Sequence, residues 1–248
     1  MQKTGIVIPC YNEADRLNVK AFAEFIKENE AIEFLFVNDG STDETLRVLE
    51  GIRSISAENT IILDLKVNQG KAEAVRQGLL HMFSLNKYSY VGFWDADLAT
   101  PLNEIHRLLS AAAYSDFKIV LGCRLKRLGA NIERKAKRHL LGRVFSTFAS
   151  LILKLPVYDT QCGAKLFHHS TKELFNEKFI TKWLFDIEIL ARYRNLNGID
   201  KALVDLYEYP ISTWVEIGGS KLRASYMLLV PLELLRIKRK YNASKITK

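Results

Sequence analysis

The chain has 248 residues, 48% of them hydrophobic and 26% charged, with a formal net charge of +8. That composition supplies a full core for one large globular domain with or without appendages, and excludes a disordered or fibrous chain. The basic balance favours an anionic partner, whether nucleic acid, anionic lipid or a phosphorylated substrate, without choosing among them.

Cys10, Cys123 and Cys162 are far apart and odd in number, so neither a paired-cysteine zinc site nor a disulfide framework is indicated and a reducing, cytoplasmic setting is expected. The amino terminus lacks a signal peptide's cationic start and long apolar centre. No apolar stretch approaches the roughly 20 residues of a membrane-spanning helix, so the sequence predicts a soluble or membrane-peripheral protein.

In chain order, residues 5–9, 32–38, 60–65, 90–95 and 118–122 read as strands. The intervening segments 17–28, 42–54, 71–85 and 102–112 carry apolar residues at helical spacing. This alternation predicts an α/β fold with a mostly parallel central sheet flanked by helices, and the carboxyl-terminal third reads as a helical elaboration packed on that sheet. Runs such as Ile32-Glu33-Phe34-Leu35-Phe36-Val37 are nearly all apolar, as strands buried on both faces require.

Polar clusters follow four of these strands, where functional groups gather in such sheets. They are Pro9-Cys10-Tyr11-Asn12-Glu13, Asn38-Asp39-Gly40-Ser41-Thr42-Asp43, Asn68-Gln69-Gly70-Lys71 and Phe93-Trp94-Asp95-Ala96-Asp97. In an extended strand Asp95 and Asp97 point the same way, and two carboxylates converging there suit a hard divalent cation. Gly40 fits a tight turn; Ser41 suits either a cap on the following helix or a ligand contact. Gly70 and Lys71 open the third helix, where amides and an ammonium suit a diphosphate.

Taken together, these three segments, Pro9 to Glu13, Asn38 to Asp43 and Asp95-Ala96-Asp97, resemble the nucleotide-sugar half of family 2 glycosyltransferases. The resemblance implies a GT-A fold and an inverting transfer from a nucleoside diphosphate sugar donor. It puts Pro9, Tyr11 and Glu13 beside the base and ribose, with Asp39, Gly40 and Ser41 also on the nucleotide side. It implies Asp95 near the ribose or donor sugar and Asp97 on Mg²⁺ or Mn²⁺. Where some relatives have a further polar residue two positions after the second aspartate, this chain has Ala99.

The second half begins with a basic loop and a helical stretch over 134–154. Asp159-Thr160-Gln161-Cys162-Gly163-Ala164-Lys165-Leu166-Phe167 and Trp183-Leu184-Phe185-Asp186-Ile187-Glu188 look like the dolichyl-phosphate β-glucosyltransferases and, more loosely, the dolichol-phosphate mannose synthases. The likeness runs on through Trp214, Glu216 and Gly218-Gly219-Ser220-Lys221, and implies transfer of a hexose, glucose from UDP-glucose first among the candidates, to a polyprenyl phosphate acceptor. Arg124, Arg134 and Arg138 are the candidate acceptor-phosphate residues, the last two sharing a helix face. Asp159 is assigned to the catalytic centre, as an orienting group or as a base. A phosphate monoester is already largely dianionic at neutral pH and needs no base; a hydroxyl acceptor does.

The expected layout is a glycosyltransferase domain over 1–222, with a donor half over about 1–122 and an acceptor half over about 123–222. A basic amphipathic helix over 223–248 follows, suited either to an anionic membrane surface on the cytosolic side or to the domain itself. Transfer to a sugar hydroxyl is the alternative enzyme reading, and a basic nucleic-acid-binding module the alternative from another class. No nucleic-acid partner is expected, because the aromatic residues do not form RNA-stacking motifs. Oligomeric state is not legible in the sequence.

Overall fold

The computed structural model describes residues 3–133, 136–217 and 224–242. Strands β1 (Lys3–Cys10), β2 (Ile32–Asp39), β3 (Thr60–Leu65), β4 (Tyr88–Trp94) and β5 (Ile119–Cys123) alternate with helices α1 (Val19–Glu28), α2 (Thr45–Ile55), α3 (Lys71–Ser84) and α4 (Glu104–Ser115). The second half adds β6 (Asn131–Glu133), α5 (Ala136–Leu153), β7 (Ala164–His168), α6 (Phe185–Asn197), α7 (Ile199–Asp205), β8 (Leu206–Pro210), β9 (Thr213–Val215) and α8 (Ala224–Asn242).

Seven strands form one sheet in the order β3-β2-β1-β4-β7-β5-β8, and β6 pairs with β9 in a separate ribbon. All pairings in the large sheet are parallel except those of β7, which runs antiparallel to both β4 and β5. The second half is therefore more than an elaboration packed on the sheet, because it supplies β7 to its middle and β8 to its edge. From β1 the chain winds outward through β2 to β3, then returns to β4 on the other side of β1. That reversal opens the crevice at the carboxyl ends of β1 and β4 in which ligands of open α/β sheets bind.

Apolar cores on both faces explain the uninterrupted hydrophobic strands. Ile6, Ile8, Phe34 and Phe36 pack with Phe22, Ile105 and Leu108 of α1 and α4 on one face. Val7, Leu35, Val37 and Phe93 pack with Val75, Leu79 and Leu190 of α3 and α6 on the other. The alternation of Ile6, Val7 and Ile8 between these clusters is the pleat of a strand covered on both sides. Phe22 meets Phe34 and Phe36 edge-on, with ring centroids 6.0 and 5.1 Å apart.

Two local boundaries differ from expectation in ways that matter for the site. β4 ends at Trp94, and Leu98, at φ +53°, donates its N–H to the Asp95 carbonyl at 3.2 Å, so Asp95 and Asp97 lie in a tight turn beyond the strand. Helix α2 starts at Thr45 instead of residue 42. Asp43 Oδ1 accepts both the Thr45 N–H (3.0 Å) and its hydroxyl (2.5 Å), holding the first turn in place of Ser41.

Helix α8 packs on α5 and α6. Leu234 and Ile237 are buried, and the Tyr241 hydroxyl donates to the buried Glu188 carboxylate at 2.7 Å. Its other side exposes Leu229, Leu232 and Leu235 together with Arg236, Lys238 and Arg239. Among the described residues no helix is long and apolar enough to cross a membrane.

Candidate active site

The loops after β1 and β2 are stitched to each other by polar side chains. Ser41 Oγ accepts the Asn12 N–H at 3.0 Å, Asn12 Oδ1 accepts the Thr42 N–H at 2.9 Å, and Thr45 Oγ1 accepts the Glu13 N–H at 2.8 Å. Gly40, at φ +61°, lies so close to the third loop that a Cβ would stand 2.4 Å from the Asn68 nitrogen, so only glycine closes this turn. The buried Asp39 carboxylate accepts the N–H groups of Gln69 and Gly70, each at 2.8 Å. Asp39 thereby fixes the entry to α3, and these two amides are occupied within the protein. Tyr11 remains 37% exposed at the rim.

At the first residue of α3, Lys71 places Nζ 2.5 Å from Asp95 Oδ1. Burial would depress the Lys71 ammonium, yet the carboxylates of Asp95, Asp186 and Asp97 outweigh it and hold its pKa above the ordinary value. Asp97 is shifted the other way for a carboxylate: burial, then the charge of Asp95, push it up, against the Ala99 N–H and the positive charges of Lys71 and Arg16. The Ala99 N–H donates to Asp97 Oδ1 at 3.0 Å. Two hard carboxylate donors, with Asp97 buried beside the charge of Asp95, fit Mg²⁺ or Mn²⁺. Among the described residues no set of three or more His, Cys, Asp or Glu is placed to hold a metal. A two-carboxylate donor set suits an ion that completes its shell with phosphate oxygens and water.

Directly behind this turn stands β7. Asp95 donates its N–H to the Gly163 carbonyl at 2.9 Å, and a Cβ on Gly163 would fall 2.0 Å from Asp95 Oδ2. Lys165, opposite Phe93 in the β4–β7 register, is 1% exposed. Its ammonium donates to the Cys162 carbonyl at 2.5 Å and lies 2.7 Å from Asp186 Oδ1 of α6. Lys165 thus anchors the segment on which Asp95 rests. Burial raises the Asp186 pKa despite Lys165 and Lys71. It also pushes the Cys162 thiol up to about 11, which keeps that group protonated at neutral pH.

A second charged centre forms where β5 ends. Arg124 grips Asp159 with a bidentate fork, Nε to Oδ2 at 2.6 Å and Nη2 to Oδ1 at 2.8 Å, and its own N–H adds a third bond to Oδ2 at 3.0 Å. The guanidinium also lies over the Trp214 ring at 5.3 Å. Desolvation works against the Arg124 charge, but the Asp159 carboxylate overrides it and raises the pKa. Glu208 of β8 accepts the N–H groups of Tyr158 and Asp159 at 2.6 and 2.7 Å, and burial raises its own pKa.

The expected residues therefore gather in two clusters bridged by the peptide 159–165. Pro9, at the end of β1, with Tyr11, Glu13, Asp39, Gly40, Ser41, Lys71, Asp95 and Asp97, belongs to the crevice between the first four strands. Arg124 and Asp159 form the adjoining centre. Ser41 is not a helix cap, because α2 begins four residues later. Arg134 lies outside the described residues; Arg138 falls in α5, where only its backbone is described. Of the later motif residues, Trp214 joins the site, and Gly218, Gly219, Ser220 and Lys221 lie outside the described residues.

Sequence reasoning gave no role to Arg16, Gly163, Lys165, Asp186 or Glu208. Arg16 lies 3.6 Å from Glu13 and contributes to the field at Asp97. Gly163, Lys165 and Asp186 lie within the segments that carry the family resemblance. The available signal was a charged residue within an apolar strand or at the start of an apolar helix.

The chain is similar to known proteins over most of its length. Residues 5–175 match Glycosyl transferase family 2. The chain is 29% identical over 253 residues to a dolichyl-phosphate beta-glucosyltransferase of Dictyostelium discoideum, covering 96% of this chain and 74% of that protein. It is 32% identical to the Saccharomyces cerevisiae protein of the same name, over 88% of this chain and 68% of that one. Among solved structures, glucosyl-3-phosphoglycerate synthase from Mycobacterium tuberculosis, in complex with Mn²⁺, UDP and phosphoglyceric acid, superposes with a TM-score of 0.65 at 17% identity, over 96% of this chain and 78% of that one. The mannosyltransferase PcManGT from Pyrobaculum calidifontis, in complex with GDP-Man and Mn²⁺, gives 0.65 at 14% identity, over 99% and 66%. The fold is thus GT-A-like, and the chain belongs to glycosyl transferase family 2.

Proposed function

We propose that this enzyme transfers glucose from UDP-glucose, with inversion, to a polyprenyl phosphate at the cytosolic face of a membrane, with a divalent metal held by Asp95 and Asp97. The observation that carries this reading is the single segment 159–165, which at one end holds Arg124 through Asp159 and at the other supports Asp95 through Gly163. It sets a cation-seeking acidic pair suited to a diphosphate leaving group beside a buried arginine suited to an anionic acceptor. The dolichyl-phosphate beta-glucosyltransferases similar to this chain, and the Mn²⁺ complexes of UDP and GDP-Man in proteins of similar fold, support it.

A divalent metal held by Asp95 and Asp97 would supply Lewis-acid stabilisation to the diphosphate leaving group. The chain's own groups do the rest. Asp95 and Asp97 supply the carboxylate oxygens, and Lys71 adds a cation beside Asp95 that neutralises developing charge. The crevice walled by Tyr11, Glu13 and Asp39 holds the nucleoside. Both Asp159 oxygens are engaged by Arg124, so Asp159 acts as a positioning group. A dianionic phosphate is nucleophilic without a base, whereas a sugar hydroxyl would need the carboxylate that Arg124 occupies. The exposed leucines and cations of α8 suit an anionic membrane surface. All three cysteines are free and buried, in keeping with a reducing compartment.

The test is a donor-by-acceptor screen: UDP-glucose against GDP-mannose, Mn²⁺ against Mg²⁺, and polyprenyl phosphate against free sugars, with and without liposomes. A glucosylated prenyl phosphate formed only with UDP-glucose and a divalent metal is the expected product. Transfer to sugar hydroxyls and not to prenyl phosphate would refute the acceptor assignment.

A further inference from the structure

Outside the two clusters, α5 borders an open cleft of about 310 Å³ whose lining includes Arg143, Ser146, Thr147, Ser150, Leu151 and Tyr158. The Arg143 guanidinium lies on the face of Tyr158, 3.6 Å from the ring centroid. Its Nη1 is buried with no hydrogen-bond partner among the described residues. An arginine N–H withdrawn from water and left unbonded is costly, and an arriving acceptor oxygen removes the cost. The three hydroxyls each donate to a backbone carbonyl of α5 or of the turn after it, which leaves their oxygens free to accept.

One side of this cleft is apolar, lined by Leu151, Pro156 and Val157. Val144 and Phe148 precede Leu151 at intervals of four and three residues on one face of α5 and carry the apolar surface on beyond the lining, the three being 50%, 55% and 69% exposed. The cleft is tied to the active centre through the backbone, because Tyr158, in its lining, immediately precedes Asp159 and the N–H groups of both are held by Glu208. A free sugar phosphate or inorganic phosphate would use the cation and waste the stripe. A neutral lipid would use the stripe and leave Arg143 unbonded.

We infer that the Arg143–Tyr158 cleft is a binding site for a phosphate carried on an apolar chain, the polyprenyl phosphate acceptor: Arg143 takes the phosphate and the Val144–Phe148–Leu151 face takes the first prenyl units. This rests on the acceptor reading above. Arg143 adds a direct phosphate contact to the electrostatic field of Arg124, whose own fork is held by Asp159.

The test uses the full chain and direct binding, without donor or turnover. Calorimetry with farnesyl phosphate, farnesol and inorganic phosphate should show the wild type binding farnesyl phosphate more tightly than either half-ligand. Arg143→Met should weaken farnesyl phosphate by about ten- to hundred-fold, the worth of a charge-assisted hydrogen bond, and Arg143→Lys by less. Binding of UDP with Mn²⁺ should stay within about two-fold, since Arg143 is not part of the donor crevice. Should Arg143→Met fold poorly, Phe148→Ser and Leu151→Ser test the other wall: farnesyl phosphate weakens and inorganic phosphate does not. Undiminished farnesyl phosphate binding by a folded Arg143→Met variant overturns the inference. So does a variant that loses affinity only for phosphatidylglycerol vesicles free of prenyl phosphate, because the cleft would then serve bulk phospholipid. If the wild type binds farnesyl phosphate through Arg143 but glucosylates no prenyl phosphate in the screen, the functional reading fails while the site stands.

Discussion

Replacing Gly163 by alanine tests whether β7 sets the position of the acidic pair. The added Cβ would lie 2.0 Å from Asp95 Oδ2 and 2.1 Å from its Cγ, where ordinary contact begins at 3.4 Å. The carboxylate must therefore retreat by about 1.4 Å, the difference between those separations. The backbones cannot easily part, because the Asp95 N–H is bonded to the Gly163 carbonyl at 2.9 Å. On the far side the Lys71 ammonium is already 2.5 Å from Oδ1. A misplacement of about 1 Å at a reacting centre costs on the order of 100-fold in rate, and overpacking costs about 1–3 kcal/mol of stability. The expected result is a folded protein, slightly less stable, with kcat for UDP-glucose turnover down by about two orders of magnitude and a raised Mn²⁺ activation constant. Gly51→Ala, in the exposed face of α2 with nothing within 4 Å, is the control and should leave both unchanged. A Gly163→Ala enzyme within about three-fold of wild type in kcat, with unaltered Mn²⁺ activation, would refute the claim that this glycine is the spacer behind Asp95.

Asp97→Asn should abolish turnover and remove thermal protection by Mn²⁺ with UDP. Burial and Asp95 hold the Asp97 pKa above its unfolded value, so its ionisation costs native stability as pH rises from the unfolded pKa through the folded one; the metal-free variant should melt at or above the wild-type temperature at pH 7 in calorimetry. Lys165→Met strands Asp186 in the core and should lose about 3–5 kcal/mol in urea unfolding, while Lys165→Met with Asp186→Leu should recover most of it; a loss under about 1 kcal/mol for the single change would contradict that pairing. At the opposite end of the sheet, burial would raise the Glu33 pKa, but hydrogen bonds from Lys3, Lys87 and Tyr88 outweigh it and hold it below the usual carboxylate range. Its stabilisation is present above the unfolded pKa and is lost as pH falls through the lower, folded one. Glu33→Gln should accordingly destabilise at pH 7 and converge with wild type under strong acid, as followed by circular dichroism.

The parts of this fold that announce themselves in the sequence are those governed by local chemistry. Five strands from β1 to β5 are apolar runs closed by Asn, Asp and Gly, and the crevice loops could be placed because each ends a strand. β7 could not be placed, because Ala-Lys-Leu-Phe-His carries no mark of direction, and a buried lysine in its second position argues against a central strand. The role of Asp159 was undetermined for a related reason. Its pairing with Arg124 spans 35 residues and depends on how β5 meets the segment before β7, which periodicity does not encode. Ser41 was equivocal because Asp43 competes for the same helix start, and tertiary stitching to Asn12 decided the outcome.

The position of β7 also has a consequence for how the enzyme comes into being. During synthesis β4 emerges early, but its partner on one side is not complete until His168, so until then β4 and β5 both present open edges. Asp95 gains its backbone bond, and Lys165 its neighbours, only when that late strand slots between them. The carboxylates that would handle a nucleotide sugar are therefore not assembled before β7 has been made and placed, and a nascent chain lacking it has no finished acidic turn with which to hydrolyse such a substrate wastefully.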